Sequence, residues 1–267
     1  MADANDRREA AGGESSTALV PRPDDAAISF VQFAPQPPYD ERLVFWERRE
    51  SETAASFRLL RQRLIERGDP KVVLCTSATK GEGKTTLAAN LALSYAELGK
   101  YRVLLLEASF RGAALGELFG FKPPSGFARQ LITHKNNPDA PWIVVQISGM
   151  PLYVMAAEPR CCNKCAAVLT EEATFCGMCG SPLETEATPP IDGVTFAAAV
   201  RQFRESFNYV VIDSPPVLSS GDVNLIQDSV EAILFATRKG HSAGRELRRA
   251  IEQVAPAEVA AIAMLDQ

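Results

Sequence analysis

Two groups of residues in this 267-residue sequence have the types and spacing that chemistry requires. The first is Ser77-Ala78-Thr79-Lys80-Gly81-Glu82-Gly83-Lys84-Thr85-Thr86. Gly81 and Gly83 let the backbone curl so that its N–H groups converge on one point, which the positive end of a following helix also faces. Di- and triphosphates are drawn to such a point; Lys84 would reach the β- and γ-phosphates and the Thr85 hydroxyl would bind magnesium. The Gly-Lys-Thr core is that of the phosphate-binding P-loop, with Ala78 in place of the first glycine of the general pattern. Lys80, Gly81, Glu82, Gly83, Lys84, Thr85 and Thr86 are therefore the expected cradle for ATP. A glycine-rich turn that binds nothing is the plain alternative.

The second group is Cys162-Asn163-Lys164-Cys165 and Cys176-Gly177-Met178-Cys179, two C-x-x-C knuckles separated by ten residues. Each knuckle can present two thiolates about 3.8 Å apart to one face of a tetrahedral ion, and four thiolates close the coordination sphere. Cys162, Cys165, Cys176 and Cys179 are the expected ligands of a structural zinc ion; an iron–sulfur cluster and unligated thiols are the alternatives. Cys161 is an adjacent thiol able to exchange with Cys162. Thr174-Phe175 has the character of a short strand into the second knuckle, and Gly180 supplies turn geometry after it. The run Cys162 to Leu183 resembles the zinc-ribbon modules that bacterial proteins carry as short units, which commonly serve as docking surfaces.

The elements around these groups follow from apolar pattern. Lys71-Val72-Val73-Leu74-Cys75-Thr76 reads as a buried strand feeding the phosphate loop, and the next helix runs from Lys84 to about Leu98 with Gly99 as its stop. Cys75 then sits in the core as a small hydrophobe. Arg102–Leu106, Trp142–Ile147, Leu152–Ala156, Tyr209–Ile212, Ala232–Ala236 and Val259–Leu265 are further strand-like runs. Helices are expected at Thr53–Arg67, Val194–Phe207 and Arg245–Val254. Such alternation predicts an α/β fold with a doubly wound, mostly parallel sheet, interrupted by the small zinc ribbon. Asp213 then caps an apolar strand at the carboxyl edge, where ligands of parallel sheets bind, and becomes the second magnesium ligand; a helix N-cap is its plain alternative.

Prolines at 21, 23, 35, 37 and 38 and the lack of an apolar period mark residues 1–40 as a disordered arm. The nucleotide domain is expected over 41–157 and 190–267, with the ribbon at 158–189. A net charge of −5 argues against a general nucleic-acid binder, and no apolar run is long enough to span a bilayer. The polar start lacks an export signal, so a cytoplasmic location is expected, peripheral at the inner membrane only through a partner.

Several runs together resemble the bacterial tyrosine kinases of capsule and exopolysaccharide export, P-loop proteins similar to the cell-division and partition ATPases. They are Phe57-Arg58-Leu59-Leu60-Arg61, the Lys80–Thr86 loop, Val103–Arg111, Leu115–Gly120, and Ile212-Asp213-Ser214-Pro215-Pro216-Val217-Leu218 through Asp222, in the family's order. The resemblance implies ATP with magnesium, tyrosine autophosphorylation, homo-oligomers and a transmembrane polysaccharide co-polymerase that stimulates the kinase. It assigns Lys84, Glu107 and Asp213 to catalysis.

Three departures matter. The family's Asp-x-Asp-x-Arg is Glu107-Ala108-Ser109-Phe110-Arg111, where a misplacement of about 1 Å can cost on the order of a hundredfold in rate. Ala55 replaces the glutamate that opens the family's oligomerisation helix, while Arg58 and Arg61 remain. No tyrosine follows Tyr209 in this sequence, whereas the family usually ends in a tyrosine-rich tail that serves as its own substrate. Nucleotide binding is thus expected to survive better than phosphotransfer. Competing readings are a partition-type ATPase, disfavoured because Thr79 stands where that group has an extra lysine, an iron–sulfur carrier, and an ATP-dependent scaffold docking through the ribbon.

Overall fold

The computed structural model describes residues 27–110, 112–162, 164–165, 167, 169, 173–183, 192–241 and 243–265. Eight strands form one sheet: β1 (Ile28–Phe33), β2 (Val72–Ser77), β3 (Val103–Glu107), β4 (Trp142–Ile147), β5 (Leu152–Met155), β6 (Tyr209–Asp213), β7 (Ala232–Arg238) and β8 (Val259–Leu265). Their order is β1-β4-β5-β3-β6-β2-β7-β8, and every pair is parallel except β4 with β5. β2 and β6 are buried throughout, as strands covered on both faces must be.

Helices α1 (Val44–Glu47), α2 (Glu52–Glu66), α3 (Lys84–Ala96) and α4 (Leu115–Phe119) pack one face around Phe45, Phe57, Leu87, Leu91 and Phe119. The helices α5 (Phe127–Asn136), α6 (Gly193–Ser206), α7 (Asp222–Ile226) and α8 (Gly244–Val254) pack the other around Phe127, Phe196, Phe203 and Val254. Caps fix two of the longer helices: Ser51 accepts from the Ala54 amide, and Asp192 from those of Val194 and Thr195. The sheet is thus doubly wound and mostly parallel. No helix among the described residues is long and apolar enough to cross a membrane.

One boundary moves. Ile28–Phe33, placed in the proline-rich arm by sequence, is the edge strand of the sheet, paired in parallel with β4 from Ile28↔Trp142 to Phe33↔Ile147. Prolines on either side hide a six-residue β-branched and aromatic run whose partner lies more than a hundred residues away. Residues 1–26 of that expected arm lie outside the described residues.

Candidate functional site

β2 lies between β6 and β7, so the loop after β2 opens at the carboxyl edge in the middle of the sheet. Gly81 and Gly83 adopt φ of +86° and +88°, in the left-handed region where a side chain is strained. A second constraint acts on Gly83, because a Cβ there would lie 2.3 Å from Leu265 Cδ1 at the end of β8. Gly83 opens α3, so Lys84, Thr85 and Thr86 occupy that helix's first turn. Glu82 braces the loop: its Oε2 accepts from the Thr79 amide at 2.8 Å, while Oε1 is buried without a partner. Lower down α3, Asn90 donates to the carbonyls of Arg42 and Thr86 and accepts from the Val44 amide, tying α3 to the segment before it.

The two expected magnesium ligands meet. Thr85 Oγ1 donates to Asp213 Oδ2 at 2.7 Å, and Lys84 Nζ lies 3.9 Å from Oδ1. Asp213 is fully buried, and its Oδ1 has no hydrogen-bond partner among the described residues. Burial pushes its pKa up, against the Lys84 charge and the Thr85 hydrogen bond. A buried, unpartnered carboxylate oxygen beside a hydroxyl and an ammonium suits a divalent cation held with a phosphate chain, so the residues present fit magnesium.

Glu107 ends β3 in register with Asp213 on β6, but its carboxylate is committed elsewhere. Oε1 accepts from the amides of Ala114 at 2.5 Å and Leu115 at 3.2 Å, and Oε2 from that of Ala157 at 2.8 Å. Burial, then the Asp213 charge, pushes its pKa up to about 8, against those three amides. Both oxygens of the carboxylate expected to act in catalysis are thus bonded to backbone amides, those of Ala114, Leu115 and Ala157. Ser109 is buried and carries no charge; Arg111 of the same motif lies outside the described residues. Cys75, paired with Asp213 across β2 and β6, is a buried thiol whose pKa is raised by burial and then by Asp213, in keeping with a core role.

Sequence reasoning missed His241. It follows β7, and its Nε2 lies 3.0 Å from the Lys80 carbonyl, so a ring N–H donates to the phosphate loop from the neighbouring strand's end. Only its place after an apolar strand could have signalled this.

The four expected thiols also come together, with all Sγ atoms within 4.8 Å of one another. Cys162 and Cys179 lie 3.7 Å apart and Cys165 and Cys176 3.5 Å, close to the ~3.8 Å edge of a tetrahedral thiolate site. The donor set and spacing fit zinc. Cys161 is exposed, with its Sγ 3.5 Å from the Pro159 carbonyl, so Cys162 is the member of the cluster. Backbone pairs from Cys162 to Ala167 and from Leu169 to Arg160 shape the first knuckle; Cys176 to Ser181 and a Phe175–Pro182 bridge shape the second. The Ser181 hydroxyl, then its amide, hold the Cys179 thiol down at about 6.

The arginines of the expected oligomerisation helix are engaged within the chain. Arg58 forks onto Glu97 at 2.9 Å through both Nε and Nη2, and Arg61 Nη1 reaches the same carboxylate at 3.0 Å.

No protein-family model matches the chain. It is 24% identical over 184 residues to a tyrosine-protein kinase, CpsD, of Streptococcus pneumoniae, covering 69% of this chain and 70% of that one. Among solved structures it resembles the kinase domain of the Escherichia coli tyrosine kinase ETK, with a TM-score of 0.61 at 17% identity over 84% of this chain and 80% of that one. It also resembles the Pyrococcus furiosus cell-division ATPase MinD, with a TM-score of 0.52 at 20% identity over 73% and 70%. At these identities the two structures establish the fold, that of P-loop kinase domains and related ATPases.

Proposed function

We propose that this chain, a homologue of bacterial tyrosine-protein kinases, binds ATP with magnesium at the P-loop and that its phosphotransfer is weak or lost. The carrying observation is the Lys84–Thr85–Asp213 arrangement, in which one buried carboxylate oxygen is left without a partner beside the loop. Loop amides from Lys80 to Thr86 would cradle the phosphates, Lys84 would neutralise charge between β- and γ-phosphates, and Thr85 and Asp213 would hold the cation. The cation, when bound, supplies charge stabilisation to the phosphate oxygens. Asp213 would thereby fix the end of the phosphate chain nearest the reacting group.

Weak transfer is supported by the second carboxylate position. Ser109 brings no charge, and both Glu107 oxygens accept backbone amides. The sequence resemblance further supports a cytoplasmic protein of capsule or exopolysaccharide synthesis that works with a transmembrane co-polymerase and assembles with copies of itself. In that reading residues 158–189 form a zinc-bearing insert in the nucleotide domain. The deciding experiment supplies ATP and magnesium to the full chain with a membrane activator and reads hydrolysis and phosphotyrosine together. Binding with little or no phosphotyrosine is expected; a strong phosphotyrosine signal abolished by Lys84→Ala would overturn the weak-transfer part.

A further inference from the structure

The residues leading into the cysteine module do not hang free from the sheet. The Ala156 carbonyl accepts from the Phe127 amide, the Ala157 amide donates to Glu107 Oε2, and Glu158 Oε1 accepts from the Gly126 amide. Gly126 packs so closely there that a Cβ would lie 2.7 Å from the Glu158 nitrogen. Three residues after Ala157, Arg160 already pairs with Leu169 inside the module, so the root and the metal cluster are nearly continuous. Through the other oxygen of its carboxylate, Oε1, Glu107 holds Ala114 and Leu115 at the start of α4, and it stands in register with Asp213. The Ala108 amide next to it donates to the Asp213 carbonyl at 2.8 Å. One buried carboxylate therefore joins the nucleotide edge to the base of the cysteine module, and no catalytic duty explains its three amide partners.

We propose that Glu107 is a positioning residue through which the nucleotide site and the metal-bearing cysteine module tighten one another. The proposal rests on the reading of both sites given above and adds their mutual regulation. A divalent cation held at Asp213 would fix the end of β6, to whose Asp213 carbonyl the Ala108 amide is bonded, and with it the end of β3 from which both Glu107 oxygens take their three N–H groups. With Glu107 so placed, Ala157 is held firmly, and the module that begins its own pairing at Arg160 starts from a fixed root. Conversely, a small module of this kind gains its order from its metal. An ordered module holds Ala157 on Glu107, which keeps Ala114, Leu115 and Asp213 in place for the cation. Linkage requires the two effects to be equal in size.

The test uses the full chain and two probes, Mg-ADP and zinc. Zinc-loaded protein is expected to bind Mg-ADP about five- to tenfold more tightly than protein stripped by a chelator. Zinc affinity, read by competition with a chromophoric chelator, is expected to rise by the same factor when Mg-ADP is saturating. This second arm does not depend on the stripped module being folded at the outset. In Glu107→Gln, which keeps the side-chain length but offers a single acceptor oxygen, the factor is expected to collapse toward one. A natural protein that binds both probes with no mutual effect would overturn the proposal alone. So would a Glu107→Gln variant that weakens each site yet keeps the full factor, since that is a purely structural role. Failure to bind Mg-ADP or zinc at all would instead remove the reading beneath it, and the proposal with it.

Discussion

Replacing Asp213 with asparagine should make the nucleotide-free protein more stable while removing the magnesium dependence of nucleotide binding. Asp213 is completely buried, its Oδ1 has no partner, and Glu107 faces it from the next strand. Among the described residues the positive charge beside it is Lys84 Nζ, 3.9 Å from Oδ1 and beyond hydrogen-bonding distance. A buried polar atom left unsatisfied costs about 1–3 kcal/mol, and more when charged. Asparagine keeps an acceptor for the Thr85 hydroxyl and discards the charge, so the net gain should be about 1–2 kcal/mol. In a domain of this size that corresponds to a rise in Tm of about 2–8 °C. Thermal unfolding without nucleotide reads the first effect, and nucleotide titration with and without magnesium reads the second. A fall in Tm of similar size would refute the reasoning, because it would mean that the Asp213 charge is already fully compensated.

Other predictions follow from the same contacts. Glu107 and Asp213 both have folded-state pKa values above their ordinary ones, so the stability they contribute is complete at low pH and lost as pH rises through the folded values. For Glu107 that window runs from about 4.5 to about 8, and the fall of Tm across it should be shallower in Glu107→Gln. Gly83→Ala meets both a φ of +88° and Leu265 Cδ1 at 2.3 Å, so nucleotide binding should be lost. Leu265→Ala in the same chain should restore binding only in part, since the backbone strain remains. Elemental analysis should find one zinc per chain, and Cys176→Ser, which removes a buried member of the cluster, should lose it.

What could be read from the sequence differs from site to site for physical reasons. The phosphate loop was legible because glycines, lysine and threonines stand together between an apolar strand and a helix, and each acts through neighbours close in sequence. The cysteine spacing was legible for the same reason, and backbone pairing separated Cys162 from Cys161. β1 was not, because a short edge strand is specified by its partner, Trp142–Ile147, and not by its proline-flanked surroundings. Glu107 was legible as a carboxylate at a strand end, but its bonding was not. Its partners are backbone amides at 114, 115 and 157, which leave no mark in side-chain pattern. His241 reaches the loop across 161 residues of chain and was equally silent.

The central claim, a magnesium–nucleotide site built on Lys84, Thr85 and Asp213, is tested most directly by titrating the natural protein and Lys84→Ala with Mg-ATP. Removing a charge-assisted phosphate contact should weaken binding by at least about tenfold, or about 1.4 kcal/mol, with the fold intact by circular dichroism. Equal affinity in the two proteins would contradict it.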